Sequence, residues 1–230
     1  MSVVLALRVL LGLFMVDCLI EMSFIASMVS WVARNFKSFE ILHGGSSFQL
    51  FGKPLQMVGD QGHAANGVAG TGIIVVGIFG FIALWLRNKP DYHSSRLSNI
   101  FYKFWLYVST LAFVYTLATL AYVFAVTNMH HGTTIDIAVA SALKPTQKYP
   151  DDTWTPQGWF GAMLKLDLAK QSDRNEISLH LRLMKGWLFN MIPVFILHLA
   201  ITVLMWMDAM ARRKKDSYGR PGKETLPMTP

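Results

Sequence analysis

The chain has 230 residues, of which 53% are hydrophobic, with a mean hydropathy of +0.36 and a formal net charge of +7. The length suits one domain, and the apolar excess is greater than a water-soluble chain of this size carries, so part of the surface must face lipid. The bases flank apolar runs instead of forming a patch interleaved with stacking aromatics, which argues against nucleic acid as a partner, and a single cysteine, Cys18, excludes an intrachain disulfide.

A helix needs about 20 mainly apolar residues to cross the hydrocarbon, and four windows meet that length: 9–32, 67–86, 104–126 and 187–207. The predicted fold class is therefore all-α: a polytopic membrane protein with a four-transmembrane-helix bundle. The membrane domain spans residues 1–211, and a basic tail, 212–230, is expected to be disordered. Arg8 ahead of an apolar run ending in Ala26 and Ser27 has some features of a cleaved signal peptide. Asp17 and Glu21 inside that run, and its length, argue instead for a retained span.

Orientation follows from the bases. The connector 87–103 holds Arg87, Lys89, Arg96 and Lys103 against the single acid Asp91, and the tail holds Arg212, Arg213, Lys214, Lys215, Arg220 and Lys223. The loops 33–66 and 127–186 carry ten bases and eight acids between them, a near balance. Lys and Arg are retained on the cytoplasmic side, so both termini are expected in the cytosol and both balanced loops outside it. Plasma membrane or endomembrane is the expected location.

The loop 33–66 contains Gly44-Gly45, Ser46-Ser47, Gly52 and Pro54, which predict turns and a small hairpin over 48–58. In the loop 127–186, Thr155-Pro156 reads as an N-cap followed by proline at the first helical position. Trp159, Phe160, Met163 and Leu164 then follow at helical spacing and predict a short amphipathic helix, the core of an extracytosolic cap that meets lipid, the spans or a partner. Asp173 with Glu176 three residues later reads as a capping box opening a helix that runs into the fourth span.

The stretch Trp154-Thr155-Pro156, Trp159-Phe160, Leu166-Asp167-Leu168-Ala169, Ser172-Asp173-Arg174 and Leu183-Met184-Lys185-Gly186-Trp187 through Asn190-Met191-Ile192-Pro193 resembles uncharacterised four-span membrane proteins of filamentous fungi. The resemblance covers residues 154–193 and implies a taxonomic setting without a mechanism. Tetraspanin-like and claudin-like families are disfavoured, because the loop cysteines on which they depend are missing.

Asp17 and Glu21 are the least expected residues, since a carboxylate at mid-membrane costs about 2.5 kcal/mol or more on insertion scales. Four residues apart, they share a helix face, and the predicted topology sets them at the depth of His198. A carboxylate–imidazole contact among Asp17, Glu21 and His198 would clamp two helices; a proton or cation relay is the functional alternative. Gly70, Gly77, Gly80 and Ala83 form a small-residue stripe suited to close helix packing, and Asn190 and Pro193 suggest a turn or kink in the fourth span. His130-His131 with Asp136 lacks metal-ligand spacing, and His43, His63, His93 and His180 stand singly, so no metal site is expected. No cofactor motif, phosphate loop or nucleophile elbow occurs, and enzyme activity is left open with a lean towards none. The leading expectation is a structural or interaction protein, a scaffold, assembly factor or accessory subunit, with the bilayer and a protein partner or second copy as its contacts. The alternative is a small proton- or cation-coupled transporter or channel-associated subunit using Asp17, Glu21 and His198.

Overall fold

The computed structural model describes residues 3–34, 37–87, 96–130, 132–150 and 153–218. Lys89, Asp91 and His93, His131, and the tail residues Arg220 and Lys223 lie outside the described residues, as does the expected disorder of 219–230. The elements in chain order are α1 (Val3–Arg34), β1 (Ser38–His43), β2 (Ser46–Phe51), α2 (Asp60–Thr71), a π-helical segment (Gly72–Ile78), α3 (Phe79–Arg87), α4 (Arg96–Met129), α5 (Ile137–Ala142), α6 (Pro156–Met163) and α7 (Gln171–Tyr218).

The described chain is mostly helical, and four helical stretches are long and apolar enough to cross a membrane: α1, α2 through α3, α4, and α7. Each exceeds its apolar window, because backbone hydrogen bonding carries a helix past the hydrocarbon edge without penalty. The fourth reaches 48 residues and passes through Pro193 without interruption. It also continues through Tyr218, so the first part of the expected tail is helical. Large apolar side chains such as Leu13, Val16, Leu111, Val114 and Ile196 point outward, the pattern of helices solvated by lipid.

The second span is the irregular one. Its centre, Gly72-Ile-Ile-Val-Val-Gly-Ile78, is a π-helix flanked by α-helical turns. A π turn widens the helix and frees carbonyl groups, and here the Val76 carbonyl accepts a hydrogen bond from the buried indole Nε1 of Trp105 at 3.2 Å. Widening also brings residues five apart onto one face. A Cβ at Gly72 would lie 2.9 Å from Cys18 Sγ, and one at Gly77 would overlap Met15. Gly80 lies as tightly against Trp105 and Leu11, Ala83 is buried, and Gly67 accommodates the Tyr115 hydroxyl. Gly70 has open space around it. The close-packing face is thus Gly67, Gly72, Gly77, Gly80 and Ala83, since the π turn breaks the 3.6-residue register on which the expected stripe rested.

The loops fold into a module at the end of the bundle where α1 and α4 finish and α2 and α7 begin. β1 and β2 pair antiparallel in the register Ser38↔Phe51 through His43↔Ser46. Their turn is Gly44-Gly45, with φ of 57° and 80°, the two-residue turn whose twist matches a hairpin and which only residues tolerant of positive φ adopt. The hairpin therefore lies earlier than expected over 48–58. Segment 167–169 pairs with the other edge of β1, through Leu42 N–H to Asp167 O at 2.7 Å and Ala169 N–H to Glu40 O at 2.9 Å.

Candidate functional site

α6 starts as its sequence dictates: Thr155 Oγ1 accepts from the Gly158 N–H at 3.1 Å and Pro156 occupies the first turn. The face it carries is directed inward. Trp159, Phe160 and Met163 are buried and Leu164 is half-buried, so these four residues belong to the interior of the module and offer no open docking face. The Trp159 ring lies 5.1 Å from that of Trp154 and 5.7 Å from that of Tyr149, and its indole donates to the Gly52 carbonyl at 3.0 Å. Indole and phenol rings bury large apolar areas while their N–H and O–H groups bind backbone, and Tyr149 Oη accepts from the Asp136 N–H at 3.1 Å. One aromatic core thereby joins the hairpin, α5 and α6.

This module is fixed to the bundle through Trp31. Its ring stacks on His180 at 4.2 Å, leans on Phe160 at 4.6 Å, and donates from Nε1 to Glu176 at 2.8 Å. Lys37 reaches Asp173 at 3.1 Å and Glu176 at 2.7 Å. Asp173 and Glu176 therefore tie α7 to the α1–β1 junction, and α7 begins at Gln171 rather than at the expected capping box. Burial works against the charge on Lys37, but hydrogen bonds to Glu176 and Asp173 outweigh it and raise its pKa above the usual 10.5. A raised folded-state value means that the stabilisation is complete below the unfolded value and is lost as pH rises through the folded one. Limited proteolysis across residues 34–38 is accordingly expected to be flat from neutral pH to about pH 10 and to rise beyond it. Lys37→Met, which keeps the apolar stem, is expected to be cut faster at every pH.

The remaining loop candidates have local tasks. Asp136 caps α5 by accepting from Ala138 and Val139, and His130 Nδ1 bonds the Val126 carbonyl. His43 and His63 are exposed. Among the described residues, no group of three or more His, Cys, Asp or Glu is placed to hold a metal ion.

Within the spans, the structure places Asp17, Glu21 and His198 in two environments. His198 is buried between the rings of Phe14, at 5.0 Å, and Phe113, at 5.6 Å. Its Nδ1 is 3.0 Å from Thr116 Oγ1, which also lies 3.0 Å from the Ala112 carbonyl. Asp17 and Glu21 lie further along α1, opposite Asn190, whose amide donates to the Asp17 backbone carbonyl at 3.4 Å. Glu21 is wholly buried; the Asn190 side chain is the polar neighbour of both carboxyls, but neither Glu21 oxygen nor Asp17 Oδ2 makes a hydrogen bond of ordinary geometry. Among the described residues, no hydrogen bond or ion pair joins His198 to either carboxyl. The phenyl ring of Phe14, one turn before Asp17, occupies the place next to the imidazole.

A further polar cluster joins three spans at the opposite end. Asp208 receives both guanidinium nitrogens of Arg87, the Nη2 contact measuring 2.8 Å, and the Tyr102 hydroxyl at 3.0 Å. Arg212 Nε lies 3.5 Å from the same carboxylate. Arg87 and Asp208 side chains are only 7% and 8% exposed, which makes this a desolvated ion pair. In the sequence Arg87 counts as one base among several and Asp208 follows the last apolar window; their pairing is visible only once the spans are laid side by side. An acid within a strongly basic border is the one local signal that could have drawn notice to Asp208. No family model, no curated protein and no solved structure matches the chain.

Proposed function

We propose that this protein is a membrane interaction subunit, a four-span anchor that holds a folded module on the extracytosolic side and presents it to a protein partner. The observation that carries this reading is the aromatic core of Trp154, Trp159, Phe160 and Tyr149, fastened to α1 and α7 through Trp31, Lys37 and Glu176. Ordering the loop residues 37–59, 132–150 and 153–170 costs conformational entropy of about 1–2 kcal/mol per residue, an expense that a passive connector between helices does not require. Preorganised surfaces are what binding rewards, because the ordering cost has already been met. The positive border formed by Arg96, Lys103, Arg212, Arg213 and Lys214 supports a cytosolic location for the other end. Plasma membrane or endomembrane fits this orientation.

The surface offered is not the α6 face but the outside of the module, where Leu42 and Leu55 are 43% and 59% exposed. A photoreactive amino acid placed at either position in native membranes is expected to give a protein adduct of one discrete mass. The same probe at Leu111, on the outward face of α4, is expected to label lipid. Lipid-only labelling from Leu42 and Leu55 would remove the support for a partner surface. A relay through Asp17, Glu21 and His198 has weaker support, since His198 is engaged with Thr116 and enclosed by two phenyl rings.

A further inference from the structure

The interior of the bundle on the module side holds more hydrogen-bonding capacity than its own side chains satisfy. Glu21 is wholly buried with the Asn190 amide as its neighbouring donor, yet neither carboxyl oxygen completes a hydrogen bond of ordinary geometry, and Asp17 Oδ2, one turn away, is in the same position. Trp187 is also wholly buried, and its indole N–H has no acceptor. Two contacts place these groups at one level between α1 and α7. A Cβ on Gly186 would lie 3.5 Å from the Phe24 ring, and Asn190 reaches the Asp17 carbonyl. Because α1 and α7 run antiparallel, Trp187 falls opposite the turn that carries Glu21. Toward the module, Gln61 of α2 is buried with its Oε1 unpartnered while its amide donates to Gln157. Buried polar groups in a native bundle ordinarily have partners, and unsatisfied carboxyls in hydrocarbon are costly.

We propose that this interior is a binding site for one small monovalent cation, a proton or an alkali-metal ion, held by Glu21 with Asp17. The positive charge neutralises a carboxylate that no residue of the bundle neutralises. Among the described residues, the polar groups beside Glu21 are Asp17 on its own helix and Asn190 on α7, and neither is a base. The buried amides of Gln61 and Gln157 lie nearer the module, with Ile25 and Met28 of α1 between them and Glu21. His198 sits on the far side of Phe14 and takes no part. The inference is independent of the partner surface proposed above, since a protein with either property can lack the other.

Infrared difference spectroscopy on the full chain in lipid nanodiscs reads the carboxyl directly. The probes are a pH series from about 5 to about 9 in a large organic cation, followed by added sodium or potassium chloride at fixed pH. A carboxylic-acid band that fades as pH rises and is absent in Glu21→Gln identifies a proton site. If that band, or the carboxylate band, changes instead with sodium or potassium, the ligand is the metal ion. A wild-type spectrum that responds to neither pH nor alkali cations overturns the proposal, and so does a full response retained in Glu21→Gln. Where Glu21→Gln fails to assemble, a silent wild-type spectrum still overturns the proposal, and isotopic labelling of glutamate assigns a responding band to glutamate or aspartate. Photo-cross-linking from Leu55 reports on the partner surface separately.

Discussion

Asp208→Ala is expected to destabilise the bundle by about 3–5 kcal/mol, the cost of leaving one member of a buried ion pair without the other. Arg87 would remain almost fully enclosed between α3, α4 and α7 with its bidentate acceptor gone, and the Tyr102 hydroxyl would lose the same partner. The asymmetry of buried pairs gives the prediction its second half. Arg87→Met combined with Asp208→Leu removes both charges and fills a similar volume, so this double variant is expected to recover most of the lost stability. Thermal unfolding in a mild detergent, followed by loss of monodispersity, measures both. A double variant as unstable as the single one would show that Asp208 acts mainly through Arg212 and Tyr102.

Trp159→Ala is expected to have an effect of similar size, about 3–5 kcal/mol, but confined to the loops. The indole is wholly buried against Trp154 and Tyr149, and its N–H satisfies the Gly52 carbonyl, so truncation leaves both a cavity and an unpaired acceptor. Protease cleavage within 132–170 should rise steeply while the four spans remain resistant, because the bundle has its own packing at Gly72, Gly77 and Gly80. Phe160→Ala, which loosens the contact with Trp31, should instead free the module from α1 and raise cleavage between α1 and β1.

The parts of this architecture legible in the sequence are those set by local physics. Hydropathy over 20 residues is a property of each segment alone, so the four spans could be read directly, as could the Thr155-Pro156 start of α6. What escaped depends on neighbours distant in sequence or on a change of helical register. Gly70 reads as part of the packing stripe at 3.6 residues per turn and is displaced from it by the π segment, where Gly72 takes its place. Trp159, Phe160 and Met163 show an apolar face from periodicity, but nothing in that periodicity says whether lipid, a partner or the hairpin covers it. Glu176 has the spacing of a capping residue and is drawn instead to Lys37 and Trp31, whose proximity arises only when α1 packs beside α7.

If the folded module sits on the extracytosolic side of the four-span bundle, as proposed, accessibility of single cysteines to an impermeant thiol reagent in sealed membranes reads its position. Ser141 on α5 and Arg96 at the start of α4 are both exposed and lie at opposite ends of the bundle. In a Cys18→Ser background, Ser141→Cys is predicted to react in intact membranes, and Arg96→Cys only after they are permeabilised. Reaction of Arg96→Cys with protection of Ser141→Cys in intact membranes would put the module on the cytosolic side and overturn the proposed orientation.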